Sequence, residues 1–201
     1  MNRKVINQKT LDKQMQKGYE LLEANNRKEA VITWLKLWEN FKRVMEKNNI
    51  DTVEEMDEIF EGTQTIFNWS SDFAEALTNL SRHNEKYLKD RIAYSEEYLK
   101  RKKDTSELNS LNMKSDMGQA YYEIGEPDKG EKVFKEITSD YPKWGWEWIY
   151  WSDGYGYFAE EGKKDYERAL QILNQALEVN DLEDREDVLE RIDMTEYVMN
   201  R

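Results

Sequence analysis

The chain of 201 residues has no cysteine and only one histidine, His83. The absence of cysteine excludes disulfides, thiolate metal sites and cysteine nucleophiles. Zinc would then need carboxylates as its other ligands, which is uncommon, and no nucleophile and carboxylate are placed to form a triad with His83. We expect His83 to cap a helix or to face solvent. The sequence therefore predicts a protein that is not an enzyme and that has no cofactor and no metal.

Long apolar runs are also missing, since no stretch approaches the roughly 18 apolar residues that a membrane-spanning helix needs. Residues 1–14 contain basic side chains without an apolar segment after them, unlike a secretory signal. A chain without cysteine fits a reducing compartment. We therefore predict a cytoplasmic protein with no membrane partner.

Positive charge is scarce: 30 Lys and Arg stand against 42 Asp and Glu, a net charge of −12. This balance argues against nucleic acid as a partner, because that binding depends on neutralising phosphates. Residues 1–50 carry eleven basic and six acidic side chains, or +5, so the remainder carries −17. Such a split leaves open a homodimer held by opposite charges. The basic run 100–103 and the acidic clusters at 54–61 and 181–187 are interpreted as helix ends, where they oppose the helix dipole.

Only two prolines and nine glycines interrupt the chain. Apolar or small residues recur every three or four positions, which is typical of one buried helix face. Five stretches show it: 11–22, 30–44, 66–80, 88–99 and 108–122. Short turn signals such as Asn25-Asn26 and Gly125-Glu126-Pro127 separate them. We predict an all-α chain of about ten helices arranged as antiparallel hairpins.

Residues 117–142 contain a pattern that suggests a repeat. Met117-Gly118 is followed by Tyr121, Gly125 marks a turn, Gly130 precedes Phe134 by four, and Pro142 closes the unit. A small residue inside a helix lets a second helix approach closely, and an aromatic ring fills the adjacent space. This pattern resembles the tetratricopeptide repeat, a helix–turn–helix unit of about 34 residues. The resemblance implies that the hairpins stack as a right-handed α-solenoid.

The predicted units lie near 11–44, 111–144 and 145–181, and the last has about five extra residues between its helices. Residues 50–105 match poorly and are interpreted as degenerate hairpins, with an inserted helix pair as the alternative, and 182–200 as a capping helix. No long linker appears, so we predict one domain over 1–201. The stretch 141–153 with the helix that follows it also resembles the helical part of bacterial proteins associated with the SecA-type zinc-chelating (SEC-C) motif. The zinc-binding cysteines of those proteins are missing here, so a metal function does not transfer.

Residues 143–158, KWGWEWIYWSDGYGYF, hold four of the seven tryptophans. A strand would place Trp144, Trp146 and Trp148 on one face, but that alternation stops at Trp151. Steps of three and four continue to Phe158, which favours a helix. Gly154 and Gly156 would each cost roughly 1 kcal/mol inside it, so we expect close packing there, with a passing ligand as the alternative.

The helical interpretation divides these side chains between two faces. Trp148, Trp151 and Tyr155 coincide with the packing positions of the repeat and are predicted to be core. In tetratricopeptide arrays the first helix of each pair lines a concave groove. By that resemblance the groove-facing side chains are Trp146, Ile149, Asp153, Tyr157, Ser115, Gln119, Tyr122, Glu123, Met15, Tyr19, Leu22 and Glu23. The alternative is that the acidic C-terminal helix folds into the groove and covers them.

The sequence therefore favours a non-enzymatic scaffold that binds a protein or peptide through an aromatic, acidic groove. Trp and Tyr are typical binding anchors, and negative charge favours a basic or apolar segment as the partner. The candidate partner-binding residues are Trp146, Ile149, Asp153, Tyr157, Gln119, Tyr122, Glu123 and Tyr19. A carboxylate clamp of the kind found in chaperone-binding repeats is not expected, because those positions offer no cation. The alternatives are a small-molecule or peptide sensor with a closed aromatic pocket and a regulatory subunit of an enzyme.

Overall fold

The computed structural model describes residues 8–82, 84–103, 108–159 and 161–201, and these residues form helices and no strands. His83 lies outside them. Ten helices occupy the described ranges, which confirms the predicted all-α class. They are α1 (Gln8–Glu23), α2 (Arg27–Asn48), α3 (Val53–Asp57), α4 (Ile66–Ser81), α5 (Glu85–Lys100), α6 (Leu108–Glu123), α7 (Pro127–Asp140), α8 (Gly145–Asp153), α9 (Tyr166–Leu177) and α10 (Arg185–Met199).

The helices group into two compact units. Unit 1 ends at Ser110 and unit 2 begins at Leu111. The predicted helix pairs at 11–44, 111–144 and 145–181 coincide with α1–α2, α6–α7 and α8–α9, and the predicted capping helix is α10. That residues 1–201 form one domain stays a prediction. No helix in the described ranges combines the length and the apolar character needed to cross a membrane.

The first hairpin of unit 1 shows how a short turn and a glycine bring two helices together. Asn25 takes a left-handed conformation, with φ of 56°, and the backbone N–H of Asn26 donates to Leu21 O at 2.8 Å. A Cβ on Gly18 would lie 1.9 Å from Nε1 of Trp34. That Nε1 donates to Met15 O at 3.0 Å. Glycine is therefore required where the indole crosses α1.

The first hairpin of unit 2 repeats this arrangement at positions numbered one hundred higher. Gly125 is left-handed, with φ of 84°, and the N–H of Glu126 donates to Tyr121 O at 2.8 Å. A Cβ on Gly118 would lie 2.7 Å from Cε2 of Phe134. A tight turn with a left-handed residue and a glycine–aromatic contact therefore occur in both units.

The rest of unit 1 is a second hairpin, α4–α5, in the range where the sequence predicted degenerate hairpins. Its core is aromatic: Trp69 stacks on Phe73 with ring centroids 5.4 Å apart, and Phe73 lies 4.5 Å from Tyr94. Asp57 accepts hydrogen bonds from the backbone N–H of Ile66 and Phe67 at the start of α4. This carboxylate stabilises the positive end of the helix dipole, as predicted for the acidic cluster at 54–61.

The basic run 100–103 ends α5, as predicted. One of its members is buried, however, since the Lys102 Nζ lies 2.8 Å from Oε1 of Glu54 with its side chain 3% exposed. This ion pair ties the end of α5 to α3. The run therefore terminates a helix and also contributes a contact that the sequence did not indicate.

In unit 2, α8 packs against α7, α9 and α10, and α9 packs against α10. Trp148, Trp151, Leu173 and Val188 belong to one buried cluster. A Cβ on Gly145 would lie 2.3 Å from Glu183 O, so the start of α8 touches the segment that leads into α10. The C-terminal helix therefore covers part of α8.

The aromatic stretch 143–158 is helical only in its first part. Helix α8 ends at Asp153, and residues 154–157 form a turn in which the N–H of Phe158 donates to Asp153 O at 2.7 Å. The prediction of a helix to Phe158 is therefore wrong beyond Asp153. Packing explains the first glycine, because a Cβ on Gly154 would lie 2.5 Å from the Tyr122 ring. Gly156 has only ordinary contacts and lies beyond the helix.

Candidate functional site

Two of the predicted groove residues on unit 2 are exposed aromatics. Trp146 is 40% exposed, and its ring centroid lies 5.7 Å from that of Tyr150, one turn further along α8. Tyr157 is 75% exposed and packs edge-on against Phe158 at 5.2 Å. Large rigid rings left open to solvent are typical anchors for a partner. Trp146 and Tyr157 therefore stay candidates for partner binding.

Ile149 and Asp153 are placed differently from the prediction. Ile149 is 1% exposed and belongs to the buried cluster. Asp153 is 8% exposed, and its Oδ1 accepts from Nη1 of Arg191 on α10. Their groove-facing position is wrong because α10 packs along this side of α8. The alternative in which the C-terminal helix covers part of the face accounts for these two residues.

The α6 residues are likewise split. Tyr122 and Ser115 are buried, so their expected exposure is wrong; the Tyr122 ring fills the space beside Gly130 and Gly154. Gln119 and Glu123 are partly exposed and stay candidates. In unit 1, Met15 is fully buried behind Trp34.

The predicted core aromatics surround a carboxylate that sequence reasoning missed. Glu131 Oε2 accepts from Trp151 Nε1 at 2.8 Å and from the Tyr155 hydroxyl at 2.6 Å. Its Oε1 lies 2.8 Å from Nη2 of Arg168 and 2.9 Å from Nζ of Lys135. Burial opposes the charge, but these donors outweigh it and lower the pKa of Glu131 to about 2. The prediction of a core position is confirmed for Trp148 and Trp151, whereas Tyr155 is half-buried.

Unit 1 contains an open cleft between α1 and α4, with a volume of about 400 Å³. We call it the acidic cleft, and its lining residues are Tyr19, Leu22, Arg27, Asp72, Glu75, Ala76 and Asn79. Tyr19 and Leu22 were both predicted to line a groove. The Tyr19 hydroxyl donates to Asp72 Oδ2 at 2.6 Å and so fixes both side chains across the cleft. Burial and the nearby Asp72 raise the pKa of Tyr19 well above its ordinary value.

The charge of the acidic cleft is negative, since Asp72 and Glu75 outnumber Arg27. None of these three forms an ion pair with a residue that the structure describes. Leu22 and Ala76 supply the apolar part of the lining. A cationic side chain with an apolar stem matches this combination of carboxylates, aromatic ring and aliphatic surface.

Sequence reasoning found Tyr19 but missed Asp72 and Glu75. A signal was present: Asp72, Glu75 and Asn79 step by three and four on α4, alongside the buried stripe of Trp69, Phe73 and Leu77. The missing information was which helix faces α1. That depends on the packing of α4 beside the first hairpin, which no local pattern specifies.

No group of three or more His, Asp or Glu is placed to hold a metal ion within the ranges that the structure describes. Comparison of the chain with protein-family models, with curated proteins and with solved structures gave no match. The resemblance to tetratricopeptide repeats and to SEC-C-associated proteins therefore rests on the residues quoted above and stays a prediction.

Proposed function

We propose that the protein is a non-enzymatic scaffold that binds a basic segment of a protein or peptide partner. The observation that carries this proposal is the acidic cleft. It combines a fixed tyrosine with two carboxylates that have no ion-pair partner among the described residues. The partner class follows from charge complementarity.

A lysine or arginine side chain suits the acidic cleft for two physical reasons. Its aliphatic stem packs on Leu22 and Ala76, while its charged end reaches Asp72 or Glu75. Asp72 is already oriented by the hydrogen bond from Tyr19, so less side-chain entropy is lost when a cation binds. An acidic side chain would meet net negative charge.

The exposed Trp146, which packs against the partly buried Tyr150, offers a second, apolar contact surface on unit 2. This surface would contact the apolar part of a partner segment. Its role and the role of the acidic cleft can be tested separately by substitution. Location in the cytoplasm and a homodimer stay predictions. A dimer held by opposite charges would weaken steeply with added salt.

A panel of short fluorescent peptides tests the proposal. The peptides differ only at one central residue, which is Lys, Arg, Glu or Ser, and anisotropy measures their dissociation constants. We expect the Lys and Arg peptides to bind more tightly than the Glu peptide, with an advantage that shrinks as salt is added. The Glu75→Gln variant should lose about twofold to fivefold of that affinity, the range measured for exposed ion pairs.

The matched control is Glu58→Gln, which removes an exposed carboxylate of unit 1 that does not line the acidic cleft. It should bind the peptides as the wild type does. Equal losses in both variants would mean that overall charge attracts the peptide, and tighter binding of the Glu peptide would contradict the proposal. A small-molecule sensor would instead shift the tryptophan emission with a ligand other than a peptide, and Trp146→Phe should abolish that shift.

A further inference from the structure

Unit 2 buries a second carboxylate, Glu147, on α8. The residue is 4% exposed, and its Oε2 is within hydrogen-bonding distance of the Ser115 hydroxyl on α6. The same Ser115 Oγ lies 3.1 Å from Leu111 O. The hydroxyl therefore stands between a carbonyl oxygen and a carboxyl group.

Counting hydrogens determines the protonation state that fits this geometry. A serine hydroxyl has one hydrogen, a backbone carbonyl only accepts, and an ionised carboxylate only accepts. Ser115 can therefore satisfy both neighbours only if Glu147 carries a proton. Glu147 then donates to Ser115, and Ser115 donates to Leu111 O.

The surrounding charges also disfavour ionised Glu147. From α6 it faces Asp116, a like charge, and along α8 it faces Tyr150. Arg191 of α10 pairs with Asp153, and Arg168 of α9 pairs with Glu131 of α7. Burial raises the pKa of Glu147, the hydrogen bond with Ser115 lowers it in part, and the charge of Asp116 raises it. The resulting pKa is about 7.

The first hairpin of unit 1 shows that the fold does not need this polar contact. Met15 occupies the position equivalent to Ser115 and is completely buried. An apolar residue is thus compatible with the same glycine–aromatic hairpin. A serine facing a buried carboxyl is a property of unit 2.

We propose that Glu147 forms a proton-dependent link between α6 and α8: when neutral it stays buried against Ser115, and when ionised it draws water into this contact. The Ser115 hydroxyl alone does not solvate an ionised Glu147, so water has to enter, and we expect α8 to shift relative to α6 when it does. Trp146 precedes Glu147 and packs against Tyr150, so the exposed Trp146 ring would shift with α8. The link concerns packing within unit 2 and does not depend on the proposed function.

The sign of the pH dependence follows from the raised pKa. The folded protein holds the proton on Glu147 more tightly than the unfolded chain does, so the contribution of Glu147 to stability is fully present below the ordinary pKa of glutamic acid, about 4.3. It decreases as the pH rises and reaches its lower plateau above about 7. Alkaline conditions should therefore loosen unit 2.

Thermal unfolding from about pH 5 to about pH 9, followed by tryptophan emission, tests this link on the full chain. The wild type should lose stability across neutral pH. Glu147→Gln retains a donor for Ser115 and cannot ionise, so it should show a flat profile and exceed the wild type at alkaline pH. The control Glu136→Gln, an exposed position on α7, should keep the wild-type profile.

A Glu147→Gln profile that parallels the wild type would overturn the proposal. If that variant does not fold, carbon-13 NMR of the wild-type Glu147 carboxyl decides. A titration midpoint near neutral pH supports the link, and a midpoint near the ordinary value of about 4.3 overturns it.

Discussion

The first hairpins of the two units share a backbone design but place charge differently. In both hairpins an aromatic ring packs directly against a glycine: Trp34 against Gly18 and Phe134 against Gly118. Where unit 1 has the buried Val31, however, unit 2 has Glu131. Where unit 1 has Met15, unit 2 has Ser115 facing Glu147. The two hairpins therefore keep the glycine–aromatic contact while neighbouring positions carry apolar groups in one and polar groups in the other.

The two carboxylates of unit 2 show that surroundings decide charge. Glu131 accepts from an indole, a phenol and two cations, which lowers its pKa to about 2. Glu147 meets one hydroxyl and a like charge, and its pKa rises to about 7. Burial opposes ionisation of both, so the number of donors makes the difference.

The surfaces of the two units also differ from each other in chemistry. Unit 1 has an aromatic and largely apolar core, and at its cleft Asp72 and Glu75 have no ion-pair partner among the described residues. Unit 2 pairs Glu131 in its interior and exposes Trp146 and Tyr157. Each unit therefore offers a partner a different chemistry.

The largest expected effect separates core from surface within unit 2. Trp151→Ala should cost about 3–5 kcal/mol of unfolding free energy, because it removes a buried ring and the indole bond to Glu131. Tyr157→Ala should change stability by less than about 0.5 kcal/mol, because the side chain is exposed. Chemical denaturation measures both. Equal losses would mean that Tyr157 is part of the core.

Alanine at the two glycines tests how alike the hairpins are. Gly18→Ala should destabilise by about 1–3 kcal/mol, because its Cβ would overlap the Trp34 indole. Gly118→Ala should cost less, since the nearest atom of Phe134 is 2.7 Å away and not 1.9 Å. Melting temperatures of the two variants give the comparison. A larger loss for Gly118→Ala would contradict it.

Acid should act on unit 2 through Glu131. Its lowered pKa means that its stabilisation is present above about pH 4.3 and is lost as the pH falls toward about 2. After allowance for its partial exposure we expect a loss of about 2 kcal/mol. Denaturation from neutral to acid pH measures it. The Glu131→Gln variant should lose less between these limits, and an unchanged acid loss would assign it to other carboxylates.

The smallest effect on stability is expected at the exposed aromatics. Trp146→Ala and Phe67→Ala remove side chains that are 40% and 39% exposed, one in each unit. Both should change the unfolding free energy by less than about 1 kcal/mol. Only Trp146→Ala should weaken binding of peptides with apolar residues. If Phe67→Ala weakened peptide binding equally, the effect would not be specific to the Trp146 ring.

Helical periodicity predicted the helices and most of the buried stripe, because a three-to-four-residue spacing determines which side chains share a face. It located both hairpins through Gly18 and Gly118. It failed beyond Asp153, where the helix ends although the three-to-four-residue spacing continues. It also failed to find Glu131 and Asp72. Their roles depend on side chains distant in sequence, and no local spacing reports such contacts.

The most direct test of the central claim compares two peptides that differ only in a central Lys or Glu. The ratio of their dissociation constants is measured for the wild type and for the Asp72→Asn/Glu75→Lys variant. The proposal predicts that the wild type prefers the Lys peptide and that the variant loses or reverses this preference while keeping its fold by circular dichroism. A preference that persists unchanged in the variant would show that the acidic cleft is not where the basic segment binds.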